Sequence, residues 1–468
     1  MQGIGSRPKL LVSTDGSGVV GRAGARLLAD LADATGLTSA YSTALRRLRP
    51  RGTGHDPGRI ATDLAVMLAD GGETITDLAV LRDQEGVFGP VASTPTAWRL
   101  LADTDEQALA SLRSARGRAR EIAWLQAAEQ SEGIPAARAG GQELPGLVLD
   151  LDATLVTCHS AKDQAAPTYK GGFGFHPLLC FLANTGEALA GRLRPGNAGA
   201  NTAADHITVL DQALAQIPDA HRHGTDILVR ADSAGSAKAF LAHLGNRREQ
   251  GINLRFSVGY TITEPVRRAI QAVPDRLWHP ALDQDGTLRD GAEVTELTGM
   301  VDLKGYPAGT RIIARRERPH PGAQLSLFDQ DEGLRHRVLL TDTSYSGGGS
   351  AQFLEARHRG HATVEDHIRT GKDTGFGRFP SRDFAINTVW LELSLAAIDL
   401  LAWTRVLLLD GELATAEPKR LRYRLLHVAA RLTRGGRRLR LRISATWPWR
   451  SELATAFHRL AALPRPAA

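Results

Sequence analysis

The apolar positions of this chain follow two different periods, and the change between them divides the sequence. Leu27 and Leu31 recur at a helical spacing, which predicts a helix between about Arg22 and Leu48. Further helices are predicted up to residue 135, including one that begins after a cap at Ser93 to Pro95. From Leu147 onward the apolar runs become short and end at turn residues, which predicts strands.

The first of these runs, Leu147 to Leu155, delivers two carboxylates. Asp150 and Asp152 lie two residues apart, so a strand directs both side chains to one face. Acids are rarely left inside a fold without partners, so the run predicts a site that a cation or a phosphoryl group completes. The alternative is an ordinary strand end at which one Asp caps a turn.

Two chemistries fit this strand. The pattern Asp-x-Asp-x-Thr also opens the haloacid-dehalogenase-like phosphatases, in which an Asp is the nucleophile. The other chemistry is phosphodiester cleavage, in which carboxylates from distant parts of the chain bind two divalent ions about 3.5–4 Å apart. The phosphatase needs a later Gly-Asp-type acidic loop for its Mg²⁺, and the sequence contains no such loop, which favours the second chemistry.

A second Asp follows a later strand. Pro177 to Leu182 and Glu187 to Leu193 are predicted to form an antiparallel meander with the first strand. After a helix, Ile227 to Ala231 repeats the opening pattern and delivers Asp232 before a Gly-containing turn. Three strands, a helix and a further strand that carries an Asp outline a ribonuclease H-like core. This is an α/β fold whose central strands present their acids side by side.

A third acid lies on a helix predicted between Arg357 and Asp373. Val364 and Ile368 are four residues apart and can face the core, whereas Glu365 lies on a neighbouring face. That face also carries four groups able to bind phosphate, namely His358, His361, Arg369 and Lys372. It predicts a site that holds a metal ion and a nucleic-acid backbone together, and a solvated salt-bridge face is the alternative.

Positive charge is concentrated near the C-terminus. The whole chain has 57 Lys+Arg against 51 Asp+Glu, a mild excess that indicates a polyanionic partner only where it is local. From Lys419 to Arg442 there are ten Lys/Arg and no acid. The apolar spacing predicts a helix here that Gly435-Gly436 ends, followed by a strand over Leu439 to Ile443. The residues predicted to contact DNA phosphates are Arg434, Arg437 and Arg438.

The N-terminal region has two further candidate features. One helix carries a basic face, which is usually solvated but can contact phosphates, formed by Arg113, Arg116, Arg118 and Arg120. The stretch from Val87 to Leu101 fits a helix-turn-helix whose second helix enters a DNA groove. An ordinary helical hairpin fits this stretch equally well.

Cysteine usage and hydropathy indicate a cytoplasmic protein. Cys158 and Cys180 give neither a zinc spacing nor a disulfide framework, so a reducing compartment is expected. The N-terminus shows no signal-peptide pattern. The longest apolar helix candidate, Phe384 to Leu409, contains several polar and charged residues. We therefore predict a buried core helix there, not a membrane span, and no membrane partner.

Four segments in this order resemble the DDE transposases of bacterial insertion sequences, and most closely their thirteen-eighty group. They are Leu149–Leu155, Arg194–Gly199, Arg230–Ser233 and Glu365–Gly375. The resemblance spans nearly the whole chain. It implies a ribonuclease H-like core with a β-strand insertion, two Mg²⁺ ions that Mn²⁺ can replace, and cleavage and strand transfer at transposon ends. It also implies that Asp152, Asp232 and Glu365 are the catalytic metal ligands.

The resemblance implies partners as well. They are double-stranded DNA, as terminal inverted repeats and target, and a second copy of the chain in the DNA complex, in the nucleoid of a bacterial cell. The wider class follows a Tyr-x2-Arg-x3-Glu-x6-Lys pattern. Glu365 and Lys372 keep this pattern, while His358 replaces the Tyr and His361 replaces the Arg. Both histidines are therefore expected at the DNA-binding surface.

The predicted organisation has five parts. They are a helical N-terminal DNA-binding region (1–135), a first core part (143–260), a β-rich insertion (261–343), a second core part (344–410) and a basic C-terminal region (411–468). A separate small domain is the alternative for the insertion. For the whole chain, the alternatives to a transposase are a catalytically inactive, transposase-derived DNA-binding protein and the Asp-nucleophile phosphatase.

Overall fold

A nine-stranded mixed sheet forms the centre of the fold in the computed structural model. The model describes residues 11–49, 54–130, 133–199, 202–319, 322, 325–346 and 348–465. The strands of the sheet are β1 (Leu147–Ala153), β2 (Leu178–Leu182), β3 (Glu187–Arg192), β4 (Ile227–Ala231), β5 (Leu254–Tyr260), β6 (His279–Leu282), β7 (Leu288–Glu296), β8 (Arg311–Glu317) and β9 (Arg335–Thr341). Their order in the sheet is β6-β7-β8-β9-β5-β4-β1-β2-β3.

The half of the sheet around β1 has the topology predicted from the sequence. Strands β1, β2 and β3 form the antiparallel meander, with Leu151 opposite Cys180. Strand β4 pairs with β1 in parallel, with Leu151 beside Ala231, and β5 continues in parallel beside β4. The order β3-β2-β1-β4-β5, with this mixture of directions, is that of a ribonuclease H-like core, so the predicted fold class is confirmed.

The segment predicted as a β-rich insertion supplies the other half of the same sheet. Strand β9 pairs antiparallel with β5, and β8, β7 and β6 follow in a further antiparallel meander. These strands therefore extend the core sheet and do not form a sheet of their own. The five-part division of the chain stays a prediction.

Helices cover the sheet and build the N-terminal region. The longer ones are α1 (Ala25–Ala34), α2 (Leu37–Ala44), α3 (Pro57–Ala69), α4 (Thr94–Asp103), α5 (Glu106–Gln130), α6 (Ala203–Gln216), α7 (Lys238–Glu249), α8 (Glu264–Ala272), α9 (Ala351–Arg359), α10 (Thr363–Gly371), α11 (Phe384–Leu408) and α12 (Arg450–Ala462). Helix α4 begins after Ser93 with Pro95 in its first turn, as predicted. Whether this region is a helix-turn-helix for DNA stays a prediction.

Helix α11 is a long apolar helix that lies in the core of the protein. Among the described residues it is the one helix long and apolar enough, by length and composition, to cross a membrane. Most of its apolar window, 83%, is buried inside the protein, as expected of the predicted core helix. Its polar interruptions Glu392 and Asp399 are buried as well, so they need partners within the fold.

Those partners are arginines of α5. Arg116 donates to Glu392 (2.8 Å) and to Asp399 (2.7 Å), and both carboxylates are buried. Arg120 donates to Glu187 of β3 (2.9 Å) and also to Asp399. The expected solvated face is therefore wrong for these two arginines. A helix read in isolation gives no sign of carboxylates about 280 residues away. Once buried, each charge needs its partners, because removing one leaves an uncompensated charge.

Arg113 and two tryptophans complete this group of charges. Arg113 donates to Glu392 (3.2 Å), so three guanidinium groups meet three carboxylates. The indoles of Trp124 and Trp403 donate to Glu187 (3.0 and 2.7 Å). We call these charges and their two indole donors the α5–α11 ion cluster. It joins the N-terminal helices, the edge of the sheet and the central helix.

The predicted helix ending at Gly435-Gly436 is wrong. Helical turns occupy Pro418–Leu421 and Arg422–Leu426, and the chain then forms a hairpin of β10 (Ala430–Gly435) and β11 (Arg438–Ile443). The predicted strand over Leu439 to Ile443 is confirmed. The residues before Gly435 also alternate with period two, and pairing with β11 and with the short strand Val19–Val20 selects that pattern.

The α5–α11 ion cluster predicts a large difference between neighbouring arginines of one helix. Arg116→Met leaves Glu392 and Asp399 short of a buried cation, so we expect unfolding free energy to fall by about 3–5 kcal/mol. Arg118 is exposed and donates only to Ser114 (3.1 Å). Arg118→Met should therefore cost less than about 1 kcal/mol. Urea denaturation measures the free energy of unfolding of both variants. Equal losses of stability would contradict the assignment of Arg116 to the α5–α11 ion cluster.

Candidate functional site

Asp150 is fully buried in β1 and has all of its charge paired. Arg230 of β4 donates to both carboxylate oxygens, with Nε–Oδ1 and Nη2–Oδ2 distances of 2.7 Å. The Nδ1 of His361 lies 2.9 Å from Oδ1. Burial alone would raise the pKa of Asp150, but Arg230 and His361 outweigh it and hold this pKa below its ordinary value. These three contacts take most of the roughly four acceptor positions of the Asp150 carboxylate.

Asp152 lies on the same face of β1, nearer the open end of the strand. Its carboxylate is partly buried and accepts from the backbone amide of Ala153 (2.7 Å). Burial raises the pKa of Asp152 to about 6, and the negative charges of Asp232 and Glu365 add to this rise while His361 opposes it. Unlike Asp150, Asp152 pairs with no arginine among the described residues, so its negative charge is costly in this environment.

Asp232 and Glu365 reach this end of the sheet from two other elements. The parallel register of β1 and β4 ends with Leu151 beside Ala231, so Asp152 and Asp232 are the next residues on adjacent strands. Asp232 is exposed and caps a short helical turn by accepting from Ala234 N (2.9 Å). Glu365 is exposed in the first turn of α10. Because both raise the pKa of Asp152, the three acids share one electrostatic environment.

The three acids fit a divalent cation by their chemistry. Carboxylate oxygens are the ligands that Mg²⁺ and Mn²⁺ prefer, and a cation would relieve the repulsion that raises the pKa of Asp152. They are not arranged as a closed ligand set: within the described part of the chain, no group of three or more His, Cys, Asp or Glu is placed to hold a metal ion. Metal binding therefore requires side-chain movement at Asp232 or Glu365.

A cleft lined by charges of both signs opens beside Asp232 and Glu365. It has a volume of about 720 Å³ and lies between the acids and the β5–β9 side of the sheet. The arginines on its wall are Arg267, Arg315, Arg337 and Arg359. His358 and His361 also line it. The same wall carries Asp329 and Glu355, which pair with His336 (3.4 Å) and Arg315 (3.2 Å), so the cleft offers both cationic and anionic groups beside the acids.

Each of the two histidines makes a polar contact with another side chain of this site. The Nδ1 of His358 lies 3.2 Å from Ser257 Oγ. Burial, together with His361 and Arg230, lowers the pKa of His358 to about 3, so its ring is neutral at physiological pH. One ring nitrogen of His361 is taken by Asp150. Both rings thus have polar partners within the protein, and the His358 ring carries no charge that could bind phosphate as an arginine does.

The other predicted DNA-binding residues lie on two surfaces. Arg369 is exposed and pairs with Asp366 (3.0 Å) and Glu417 (2.9 Å). The partly buried Lys372 donates to Leu155 O (2.9 Å) and so lies beside the chain that leaves β1. The remaining three, Arg434, Arg437 and Arg438, are exposed on the β10–β11 hairpin.

Sequence reasoning missed the role of Arg230. This arginine holds Asp150 and also donates through Nη1 to Arg357 O (2.9 Å), so it ties β1 and β4 to α9. A signal was present, because Arg230 interrupts the apolar strand that delivers Asp232 and a buried arginine requires a partner. Its partner is Asp150, which lies directly beside it in the register.

Comparison with known proteins identifies a family. The family model described as transposase DDE domain group 1 matches residues 2–465. Among solved structures, a cryo-EM structure of the piggyBac transposase synaptic complex with hairpin DNA is similar over 86% of this chain and 78% of that chain. The sequence identity is 12% and the TM-score is 0.38. No curated protein gives a significant match.

The environments of the two β1 acids predict opposite effects on stability. Because the pKa of Asp152 is raised, its ionisation destabilises the native state, so stability falls as pH rises through about 6. Without metal at pH 7.5, Asp152→Asn should therefore stabilise the protein by about 1–2 kcal/mol after solvent screening, and by less at pH 5.

Asp150→Asn is the matched control, because it removes a charge that Arg230 and His361 stabilise. It should destabilise the protein under the same conditions, by about 3–5 kcal/mol. Urea denaturation in EDTA at the two pH values measures both variants. If Asp152→Asn were as destabilising as Asp150→Asn, Asp152 would be a structural residue like its neighbour.

Proposed function

Since the chain belongs to the transposase DDE domain group 1 family, we propose that it binds the inverted repeats at transposon ends and catalyses metal-dependent DNA cleavage and strand transfer. The observation that carries this proposal is the meeting of Asp152, Asp232 and Glu365 at one end of the sheet. Repulsion among them helps to raise the pKa of Asp152 to about 6. Such a cluster is favourable where a cation is bound during function.

Asp152, Asp232 and Glu365 are the residues proposed to hold two Mg²⁺ or Mn²⁺ ions. Bound there, such ions would activate the attacking oxygen and stabilise the leaving oxygen of the phosphodiester. Asp150 has a supporting role in this proposal. Its bonds to Arg230 and His361 fix the end of β1 relative to the turn before α10, and that turn sets the position of Glu365.

Lys372 and Arg369 are proposed to hold the DNA backbone near the acids. The contact of Lys372 with Leu155 O keeps its ammonium beside the end of β1. Arg369 must exchange its surface pairs with Asp366 and Glu417 for phosphate. Exchange is inexpensive because exposed ion pairs contribute little. His358 and His361 are proposed as DNA contacts on the cleft wall.

The proposed setting is the bacterial nucleoid, with a homodimer formed on paired transposon ends. A second candidate function is that of a DNA-binding protein that no longer cleaves. It is favoured by one observation, the lack of a preformed ligand set among the described acids. Cleavage of the DNA that flanks the gene, where inverted repeats are expected, decides between the two candidates.

Removal of a ligand charge tests the three-acid assignment. In Mg²⁺ or Mn²⁺, Asp152→Asn and Glu365→Gln should each reduce cleavage of the flanking DNA by about three orders of magnitude or more. DNA affinity should stay within about threefold of the unmodified protein. Ca²⁺ should support binding without turnover. The matched control is Glu249→Gln, an exposed acid at the end of α7, which should cleave normally. If the Glu365→Gln protein cleaved DNA normally, the assignment of the three acids as metal ligands would be wrong.

Lys372 gives a separate test of phosphate positioning. Lys372→Ala should weaken engagement of the strand to be cut, so KM rises about tenfold while turnover remains detectable at high Mn²⁺. Lys372→Arg should recover most of this loss because it keeps the charge. The control is Lys304→Ala, which removes an exposed lysine from the loop between β7 and β8. If Lys304→Ala raised KM equally, the effect of Lys372→Ala would come from the loss of positive charge in general and not from a contact near the cut.

A further inference from the structure

The β10–β11 hairpin is a short two-stranded ribbon made largely of arginine. Its register pairs Ala430 with Ile443 and continues to Gly435 opposite Arg438. The loop has two residues, Gly436 and Arg437, both with positive φ (56° and 60°), as in a type I′ turn. Between Ala430 and Ile443 there are six arginines and no acid.

The register separates the ribbon into two faces. On one face Arg431 lies opposite Arg442, and Thr433 lies opposite Arg440. Arg438 belongs to the same face, next to the turn. We call these residues the arginine face. The other face carries Ala430, Leu432, Leu441 and Ile443, and nearer the turn Arg434 and Leu439.

The apolar face anchors the ribbon to the body of the protein. Leu441 and Ile443 pack against the main hydrophobic core, and Val19–Val20 pairs with β10 at its base. After β11, the indole of Trp447 donates to Arg424 O (2.8 Å) and fixes the end of the hairpin. The base is therefore rigid, whereas the turn projects outward and leaves Leu439 exposed.

The arginine face is not neutralised within the protein. All six arginines of the ribbon are exposed. Arg424, just before the ribbon, pairs with Glu412 (3.4 Å), but in the described part of the chain no carboxylate pairs with any of the six. Like charges directly opposite each other, as at Arg431 and Arg442, destabilise a sheet. An anionic partner that spans the ribbon would remove this repulsion.

We propose that this ribbon lies in the major groove of duplex DNA with its arginine face toward the bases and flanking phosphates. Two strands about 4.8 Å apart fit a groove about 12 Å wide, and six residues of strand span roughly 20 Å along it. Arginine binds both phosphate and the guanine edge. The inference rests on the proposed function in taking DNA as the partner, but it requires no cleavage.

The first experiment compares two triple variants that remove equal charge. One variant, R431Q/R440Q/R442Q, alters the arginine face. The matched control, R118Q/R268Q/R276Q, alters exposed arginines of other elements. Fluorescence anisotropy with a mixed-sequence 40-bp duplex gives affinity against salt concentration. The face variant should reduce the slope of log affinity against log salt by about 2–3, at about 0.9 per lost phosphate contact. The control should change it by less than about 1.

The second experiment identifies the groove. Methyl green, which occupies the major groove, should displace the unmodified protein from the duplex, and distamycin, which occupies the minor groove, should not. Neither dye should affect the residual binding of the face variant. Displacement by distamycin alone, equal binding to a 40-nucleotide single strand, or an unchanged salt slope in the face variant would each overturn the proposal.

Two controls separate this inference from a folding defect and from the proposed function. R431K/R440K/R442K keeps the charge and should keep the salt slope, and both face variants should unfold within about 2 °C of the unmodified protein. All binding is measured again in Glu365→Gln protein. If the unmodified protein cleaves DNA but the ribbon variants bind normally, the ribbon proposal alone fails. If the unmodified protein never cleaves but the ribbon contacts persist, only the proposed function fails.

Discussion

The buried pairing of α5 arginines with the acids of α11 and β3 is the contact on which the architecture depends. Arg116 and Arg120 have no access to solvent, so each requires carboxylates in fixed places. Their partners Glu392 and Asp399 lie on the central helix, and Asp399 also accepts from the backbone amide of Ala188 in β3 (2.9 Å). One set of charges thereby fixes the N-terminal helices, the edge of the sheet and its covering helix relative to one another.

The electrostatic environments of the two acids of β1 have opposite effects on stability. Asp150 is stabilised by Arg230 and His361, so it strengthens the core. Asp152, two residues further on, has its pKa raised by burial and by Asp232 and Glu365, and His361 offsets only part of this rise. A residue kept in such an environment lowers stability, as residues of functional sites often do. The two environments distinguish Asp152 from Asp150, whereas a strand alone explains the spacing of the two acids.

How far the sequence predicts the structure depends on how local the deciding contact is. The strands that deliver Asp152 and Asp232 were predictable because period-two patterning and parallel pairing follow from nearby residues. Arg116 and Arg120 were misassigned because the acids that bury them lie far along the chain. The hairpin after Ala430 was missed because helical spacing and strand alternation coexist there, and the pairing with Val19–Val20 decides between them. The electrostatic effect of Glu365 on Asp152 joins a helix to a strand more than 200 residues earlier, which no local pattern encodes.

The separation of the paired charges along the chain has a consequence for synthesis. Arg116 and Asp399 are 283 residues apart, so α5 emerges from the ribosome long before the acids of α11 exist. Until α11 has been made, the guanidinium groups of α5 favour water over the position they finally occupy. Docking of α5 is thus a late step, and the N-terminal region of a nascent or truncated chain is left to chaperones and proteases. A chain that contains α11 also contains Glu365, so a copy cut short before Glu365 lacks the α11 acids against which α5 packs.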